Sequence, residues 1–134
     1  MRFKVLIIDD DPIILVLHKS IAIRSGLCTE EPLSFQNGKA ALDYLCANGN
    51  DKENYLLLLD IHMPLMNGWE FLDSIRSTPL WEQMKIILIS SSIDARDHEK
   101  AKKYSRVIRY IEKPLQFDIC TKLPEMVLNN SSSI

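Results

Sequence analysis

Two short apolar runs, Tyr55–Leu59 and Ile86–Ile89, are not interrupted by any charged residue. Runs of this length without alternation are typical of strands covered on both faces, as in a parallel sheet with helices on either side. The runs Val5–Ile8 and Val107–Ile111, and a weaker one at about Thr29–Phe35, predict three further strands. We therefore expect five strands, four of them marked clearly by the sequence.

Segments with helical spacing separate these strands. Apolar residues mark three helix faces: Ile13, Ile14, Leu17 and Ile21; then Ala41, Leu42, Leu45 and Cys46; then Trp69, Leu72 and Ile75. A charged helix is expected from the N-cap Asp94 to about Tyr104, and a last helix from about Gln116. Inside that last helix, Pro124 removes one hydrogen bond, so the helix is expected to kink or restart there.

Five successive strand–helix units imply an α/β fold in which right-handed crossovers connect parallel strands. The expected architecture is a flavodoxin-like, doubly wound (βα)5 sandwich whose five-stranded sheet has the order 2-1-3-4-5. A chain of 134 residues suits one domain, which we place at residues 1–129. Residues 130–134 have no pattern and are expected to form a frayed tail.

The charge balance limits the possible partners. A formal net charge of -2 and an isoelectric point near 5.9 argue against direct binding to nucleic acid or to an anionic membrane. No apolar run approaches the roughly 18 residues of a membrane span, and no signal-peptide core follows the N-terminus. The three widely spaced cysteines, Cys28, Cys46 and Cys120, are expected to be reduced and buried. A cytoplasmic location is therefore expected.

Acidic residues follow two of the predicted strands. Asp9-Asp10-Asp11 comes directly after Val5–Ile8, and Asp60 comes directly after Tyr55–Leu59. In the strand order 2-1-3-4-5 these two strands are neighbours at the switch point of the sheet, where ligands bind. Two unit charges 4 Å apart repel by about 4 kcal/mol at an effective dielectric constant of about 20, so such a cluster needs a cation, a proton or a cationic partner.

The remaining strand ends supply a hydroxyl and an amine. Ser90 follows the fourth strand and Lys113 the fifth, whereas the second strand supplies no obvious functional group. Three carboxylates and one lysine leave two negative charges, which one divalent cation would neutralise. Mg²⁺ is the natural candidate because it binds a few carboxylates and accepts phosphoryl oxygens as further ligands. The set is suited to phosphoryl transfer, in which a carboxylate can be the acceptor.

At these positions the chain resembles the response-regulator receiver domains of two-component signalling, in their single-domain form. The resemblance covers about residues 3–128. The motifs that carry it, in the order and spacing of the family, are Leu6–Pro12, Leu58–Gly68, Ile87–Ser91 and Tyr110–Pro114.

The resemblance implies a phosphoacceptor and a metal site. Asp60 would accept the phosphoryl group. Asp10 and Asp60 would bind Mg²⁺ through their carboxylates, His62 through its backbone carbonyl, and Asp9 mostly through water. Asp11 is expected instead to cap the first helix, with Pro12 in the first turn.

The resemblance also implies a switch. Ser90 would be the hydroxyl that moves onto the phosphoryl group, Lys113 the ion-pair partner of that group, and Tyr110 the aromatic residue that turns inward on activation. The Lys113–Pro114 bond would be cis.

The function implied is a phosphorylation-dependent switch of a two-component phosphorelay. The phosphoryl group would come from a sensor histidine kinase or a histidine phosphotransfer protein, and the signal would pass to an unknown downstream protein. The chain would not be an enzyme apart from self-catalysed phosphoryl acceptance and autodephosphorylation, and it would be a monomer or weak dimer.

Other interpretations stay open. The chain could be a degenerate receiver that acts only as a binding module, or a piece of a longer DNA-binding regulator. Asp9-x-Asp11 after a strand also resembles the motif of haloacid-dehalogenase-type phosphatases, in which Asp9 would be the nucleophile. The chain lacks room for the cap of that family, and no hydroxyl lies at the expected place after Asp11. A basic set near the fourth helix is either a solvated surface or a docking surface: Arg96, Lys100, Lys102, Lys103, Arg106 and Arg109.

Overall fold

The computed structural model describes residues 3–92 and 94–128, and within them it contains a five-stranded parallel sheet. The strand order is β2-β1-β3-β4-β5, which confirms the predicted fold class and topology. The predicted tail at residues 130–134 lies outside the described residues. The strands are β1 (Lys4–Ile8), β2 (Leu33–Phe35), β3 (Tyr55–Leu59), β4 (Met84–Ser90) and β5 (Val107–Glu112).

Helices connect the strands: α1 (Pro12–Arg24), α2 (Gly38–Asn48), α3 (Gly68–Arg76), α4 (Ala95–Ala101) and α5 (Phe117–Leu128). A short 3-10 helix at Pro79–Gln83, which the sequence did not predict, leads into β4. Each of the helices α1 to α4 is preceded by a residue whose side chain accepts a hydrogen bond from a backbone N–H in the first turn. These residues are Asp11, Asn37, Asn67 and Asp94, in the order of the helices. These caps satisfy N–H groups that have no partner inside the helix.

The core forms two apolar layers, one on each face of the sheet. All five residues of β3 are buried, as expected for a central strand covered on both faces. Helices α2, α3 and α4 contribute to the layer that contains Leu6 and Ile8, whereas α1 and α5 contribute to the layer that contains Val5 and Ile7. None of the described helices is long and apolar enough to cross a lipid bilayer.

The predicted buried face of α1 is largely wrong. Ile13 and Leu17 are 77% and 38% exposed, whereas Leu15, His18 and Ala22 are buried with Ile21. The helix carries apolar residues on nearly every side, so helical spacing alone could not identify the face that packs against the sheet. The buried stripe also includes a histidine, His18.

Three smaller predictions also need correction. Cys46 is exposed, although Cys28 and Cys120 are buried as predicted. Helix α4 ends at Ala101 and not near Tyr104, because the N–H groups of Lys103 and Tyr104 bond three residues back and close the helix with tight turns. β2 is limited to Leu33–Phe35 and begins after Pro32, which has no N–H to donate to a neighbouring strand.

Helix α5 does not restart at Pro124. It is continuous from Phe117 to Leu128, with Pro124 in its interior. Cys120, Leu123 and Val127 are buried in the same apolar layer. This packing holds the helix together across the missing hydrogen bond, in the way that tertiary contacts commonly override local propensity.

Candidate functional site

The site lies where β1 and β3 end side by side. Ile8 is paired with Leu59 across the two parallel strands, so the residues that follow, Asp9 and Asp60, leave the sheet next to each other. The N–H of Asp60 donates to the carbonyl of Ile8 at 2.9 Å, which extends the pairing by one step. The two acids that the sequence places in separate segments are therefore brought together by strand register.

Asp9, Asp10 and Asp60 form a cluster suited to a cation. One carboxylate oxygen from each lies within 4.8 Å of the others. Asp9 and Asp60 are 2% and 3% exposed, whereas Asp10 is exposed at the mouth of the site. Three carboxylates with this arrangement offer only hard oxygen ligands, which are the ligands that divalent Mg²⁺ and Ca²⁺ prefer.

Lys113 enters the cluster from the end of β5. Its Nζ lies 2.7 Å from Oδ2 of Asp9 and 3.3 Å from Oδ2 of Asp60. The backbone N–H of Lys113 donates to the carbonyl of Ser90 at 2.9 Å, which fixes the start of the side chain relative to β4. The Lys113–Pro114 peptide bond is cis, as predicted.

Burial and charge set the pKa values of this pair. The pKa of Asp60 is raised to about 6, mainly because the carboxyl group is buried and secondly because Asp9 is close; Lys113 and the N–H of His62 oppose this rise. Burial alone would lower the pKa of Lys113, but its hydrogen bond to Asp9 and the charges of both acids outweigh that effect and raise it. Burial and Asp9 therefore disfavour the ionised form of Asp60, and an added cation would oppose this effect and lower the pKa.

Gly68 allows α3 to start directly against Asp60. A Cβ at this position would lie 2.7 Å from the carbonyl oxygen of Asp60 and 2.8 Å from Cα of Ile61. The N–H of Gly68 instead donates to the carbonyl of Ile61 at 2.7 Å. This hydrogen bond joins the two ends of the segment between Asp60 and α3. Leu65, in the middle of the segment, has a positive φ of 69° and is 84% exposed.

His62 and Asp11 occupy the surroundings of the acid cluster. The side chain of His62 is exposed, and its backbone N–H is hydrogen-bonded to the carboxylate of Asp60. Asp11 accepts from the N–H of Ile13 at 2.9 Å and so caps α1 as predicted, with Pro12 in the first turn. Its own N–H donates to Oδ1 of Asp9 at 3.0 Å, which helps to orient that carboxylate.

Ser90 and Tyr110 are linked through the segment that follows β4. Ser90 is fully buried, and its Oγ accepts from the N–H of Ser92 at 3.1 Å. Tyr110 is 9% exposed, and its hydroxyl donates to the carbonyl of Ser92 at 3.2 Å. The imidazole of His98 on α4 covers the Tyr110 ring, with 3.8 Å between the ring centroids. Tyr110 therefore occupies a buried position in this structure.

Sequence reasoning missed two polar groups near the site. The hydroxyl of Ser92 donates to Asp97 at 2.6 Å and accepts from the N–H of Asp94 at 3.2 Å, which ties this segment to α4. His18 is 1% exposed and accepts a hydrogen bond from the backbone of Leu115. The sequence offers no clear signal for His18, because α1 carries apolar residues on nearly every side.

The sequence of this chain matches one protein family over most of its length. A family model described as "Response regulator receiver domain" matches residues 5–123. A chemotaxis protein CheY homolog of Campylobacter jejuni is 30% identical over 129 residues, which cover 96% of this chain and 95% of that protein. The chemotaxis protein CheV1 of Helicobacter pylori is 28% identical over 116 residues, but this chain spans only 35% of its length.

Solved structures show the same likeness. A two-component response regulator from Cytophaga hutchinsonii superposes with a TM-score of 0.82 at 34% identity, with 96% of this chain and 99% of that chain covered. A response regulator receiver protein from Dyadobacter fermentans gives the same TM-score of 0.82 at 28% identity, with 98% and 99% covered.

Proposed function

This chain belongs to the response-regulator receiver family, and from that premise we propose that Asp60 accepts a phosphoryl group and that the protein acts as a phosphorylation-dependent signalling switch. The observation that carries the proposal is the carboxylate of Asp60, 3% exposed, held between two further acids and the Nζ of Lys113 at the carboxyl edge of the sheet. Because this carboxylate is buried beside other charged groups, its pKa differs from that of an ordinary surface acid.

We propose Mg²⁺ as the cation of this site, held by the carboxylates of Asp10 and Asp60, by the backbone carbonyl of His62 and, through water, by Asp9. When bound, the ion neutralises negative charge on the incoming phosphoryl oxygens. The oxygen donors of the three acids fit it, and one divalent ion balances the two negative charges left after Lys113 is counted.

In the reaction, an ionised oxygen of Asp60 forms a bond to phosphorus while the P–N bond of a phosphohistidine donor breaks. The electron pair of that bond returns to the imidazole nitrogen, so the donor leaves as histidine and Asp60 becomes an acyl phosphate. Lys113 lies 3.3 Å from Asp60 and can pair with the added oxygens. The chain itself is the acceptor, so this is a single modification of the protein and not turnover of a separate substrate.

The switch follows from the new charge, about -1.5 to -2 at neutral pH. Ser90 lies at the end of the neighbouring strand, and its hydroxyl can donate to a phosphoryl oxygen if its contact with the N–H of Ser92 is rearranged. Because Tyr110 bonds to the carbonyl of the same Ser92, movement there is passed to the aromatic ring and to α4. The phosphorylated and free states would thus differ on the surface around α4 and β5.

The donor would be a sensor histidine kinase or a histidine phosphotransfer protein. Large apolar side chains are exposed shortly after three of the site segments: Ile13 at 77%, Leu65 at 84% and Phe117 at 48%. All three follow strand ends at the carboxyl edge of the sheet, where a donor must approach Asp60. Such residues are typical of protein contacts.

The test is incubation of the intact protein with phosphoramidate and Mg²⁺, followed by mass spectrometry of the protein and its peptides. We expect one added phosphoryl group on Asp60, and none in the Asp60→Asn variant or when the metal is chelated. Label that persists in Asp60→Asn but disappears in Asp9→Asn would indicate the phosphatase alternative. Absence of both labelling and Mg²⁺ binding in the wild-type protein would favour the degenerate receiver.

A further inference from the structure

His18 is a buried polar residue that the acid cluster does not include. Among the described residues, the buried polar or charged side chains are Asp9, His18, Asp60 and Ser90. Three of these belong to the proposed phosphorylation site. The fourth, His18, is 1% exposed in the middle of α1, on the helix face that packs against the sheet and α5. A buried polar side chain usually has a specific partner that explains it.

The partner of His18 is the backbone of the segment that follows Lys113. The N–H of Leu115 donates to Nε2 of His18 at 3.1 Å, between residues 97 positions apart in the chain. Because Nε2 is the acceptor, the neutral ring carries its proton on Nδ1. Burial, as the main cause, lowers the pKa of His18 to about 4, so the ring is a neutral acceptor at pH 7.

This hydrogen bond completes a clamp around Lys113. On one side, the N–H of Lys113 donates to the carbonyl of Ser90 at 2.9 Å. On the other side, two residues later, the N–H of Leu115 is held by His18. Between these points the Lys113 side chain reaches into the site, where its Nζ lies 2.7 Å from Asp9. β4 therefore fixes one end of the clamped segment, residues 113–115, and α1 fixes the other.

We propose that His18 is a positioning residue for phosphoryl transfer, which holds the segment after β5 so that the ammonium of Lys113 stays in place against Asp9 and Asp60. This inference rests on the proposed function of Asp60. Without the imidazole, the N–H of the buried Leu115 has no acceptor, and the segment has to shift to find one. A small displacement of a group that pairs with the reacting oxygens reduces the rate strongly.

Three variants separate this role from simple packing. His18→Leu keeps a side chain of similar size but removes the acceptor, and His18→Gln restores an acceptor oxygen at a comparable reach. Ile21→Ala is the matched control, because it weakens packing of the same buried face of α1 without touching the clamp. The measurements are amide hydrogen exchange, Mg²⁺ affinity by calorimetry and the rate of Asp60 phosphorylation by phosphoramidate at saturating Mg²⁺.

In His18→Leu we expect a phosphorylation rate about tenfold lower, with the Mg²⁺ affinity within about twofold of wild type, since no acid ligand is touched. Exchange should become faster at the amides of Lys113 and Leu115 specifically. His18→Gln should recover most of the rate and of the amide protection. Ile21→Ala should exchange faster across α1 as a whole and should keep the wild-type rate.

Equal rates in His18→Leu and wild type would overturn the proposal, and so would equally slow rates in His18→Leu and His18→Gln. The exchange measurement needs no phosphoryl group. If the wild-type protein is not phosphorylated while His18→Leu still loses protection at Lys113 and Leu115, the proposed function has failed and the clamp stands. Unchanged protection at both amides in His18→Leu refutes the clamp itself.

Discussion

The acid cluster at the ends of β1 and β3 and the charged surface of α4 differ in how their charges are arranged. Around α4 the charges are numerous but exposed, and several pair with near neighbours in the chain: Arg96 with Asp94 at 2.7 Å and Lys102 with Glu99 at 3.0 Å. In the acid cluster there are few charges, but Asp9, Asp60 and Lys113 are mostly buried. Water screens the first kind of pair much more than the second.

Burial, and not the number of charges, therefore determines how strongly a charged group depends on its partner. Asp60 has its pKa raised to about 6 because it is buried beside another acid. Removing one partner of a buried pair leaves an uncompensated charge, whereas removing one partner of an exposed pair leaves a group that water solvates. The two regions should therefore respond very differently to the same kind of substitution.

The largest effect is expected for Lys113→Met. At pH 7 without Mg²⁺, this change should lower the free energy of unfolding by about 3 kcal/mol, because two buried acids lose their cation. Urea unfolding measures it, with Lys122→Met on the exposed side of α5 as the control. Added Mg²⁺ should restore part of the loss. Equal stability of the two variants would contradict the importance of burial.

A second effect concerns acid. The folded pKa of His18, about 4, lies below its ordinary 6.5, so its contribution to stability is complete above pH 6.5 and is lost as the pH falls to about 4. The folded pKa of Asp60, about 6, lies above its ordinary 3.8, so Asp60 stabilises the fold progressively as the pH falls through the same range. Each shift corresponds to about 3 kcal/mol, and the two effects oppose each other.

Single substitutions should reveal this balance. Between pH 6.5 and 4.5, without Mg²⁺, Asp60→Asn should lose stability more steeply than wild type, and His18→Leu should lose it less steeply. Thermal unfolding across this range gives the slope of the free energy of unfolding against pH for each of the three proteins. In the differences between these slopes, the effects of groups common to all three proteins cancel. Parallel curves for wild type and Asp60→Asn would show that Asp60 does not take up a proton in this range.

An intermediate effect is expected for Asp10→Asn. Loss of one carboxylate ligand should weaken Mg²⁺ binding at least tenfold and slow phosphorylation at limiting Mg²⁺. Because Asp10 is exposed, its replacement should change stability little. Calorimetric titration with Mg²⁺ provides the measurement, and Asp11→Asn, which keeps a helix-capping side chain, is the control. An affinity equal to that of wild type would remove Asp10 from the ligand set.

The smallest effect is expected on α4. Lys102→Gln breaks an exposed pair with Glu99, three residues earlier in the chain, and should change the free energy of unfolding by no more than about 0.5 kcal/mol. Urea unfolding at low and high salt tests this, since even that difference should fade when the charges are screened. A loss comparable to that of Lys113→Met would mean that the two regions do not differ in the way described.

The sheet, and the proximity of Asp9 and Asp60 at its edge, could be predicted because both follow from short-range patterns in the sequence. Unbroken apolar runs mark β3 and β4, and the strand order then places Asp60 beside Asp9. The buried side of α1 could not be predicted in this way. The helix carries apolar residues on nearly every side, and only packing against the sheet and α5 determines that Leu15 and His18 are buried. The contact of His18 with Leu115 joins α1 to the segment before α5, and the two residues lie 97 positions apart in the chain, so no local sequence pattern predicts it.

The three cysteines differ in how easily chemical reagents can reach them. Cys28 and Cys120 are buried, and burial raises the pKa of each thiol, to about 11 for Cys120, so neither forms the reactive thiolate readily. Cys46 is exposed near the end of α2, at the opposite edge of the sheet from the acids. A maleimide dye should therefore attach to the native sequence at this one thiol, giving a fluorescent reporter of partner binding without any engineered mutation.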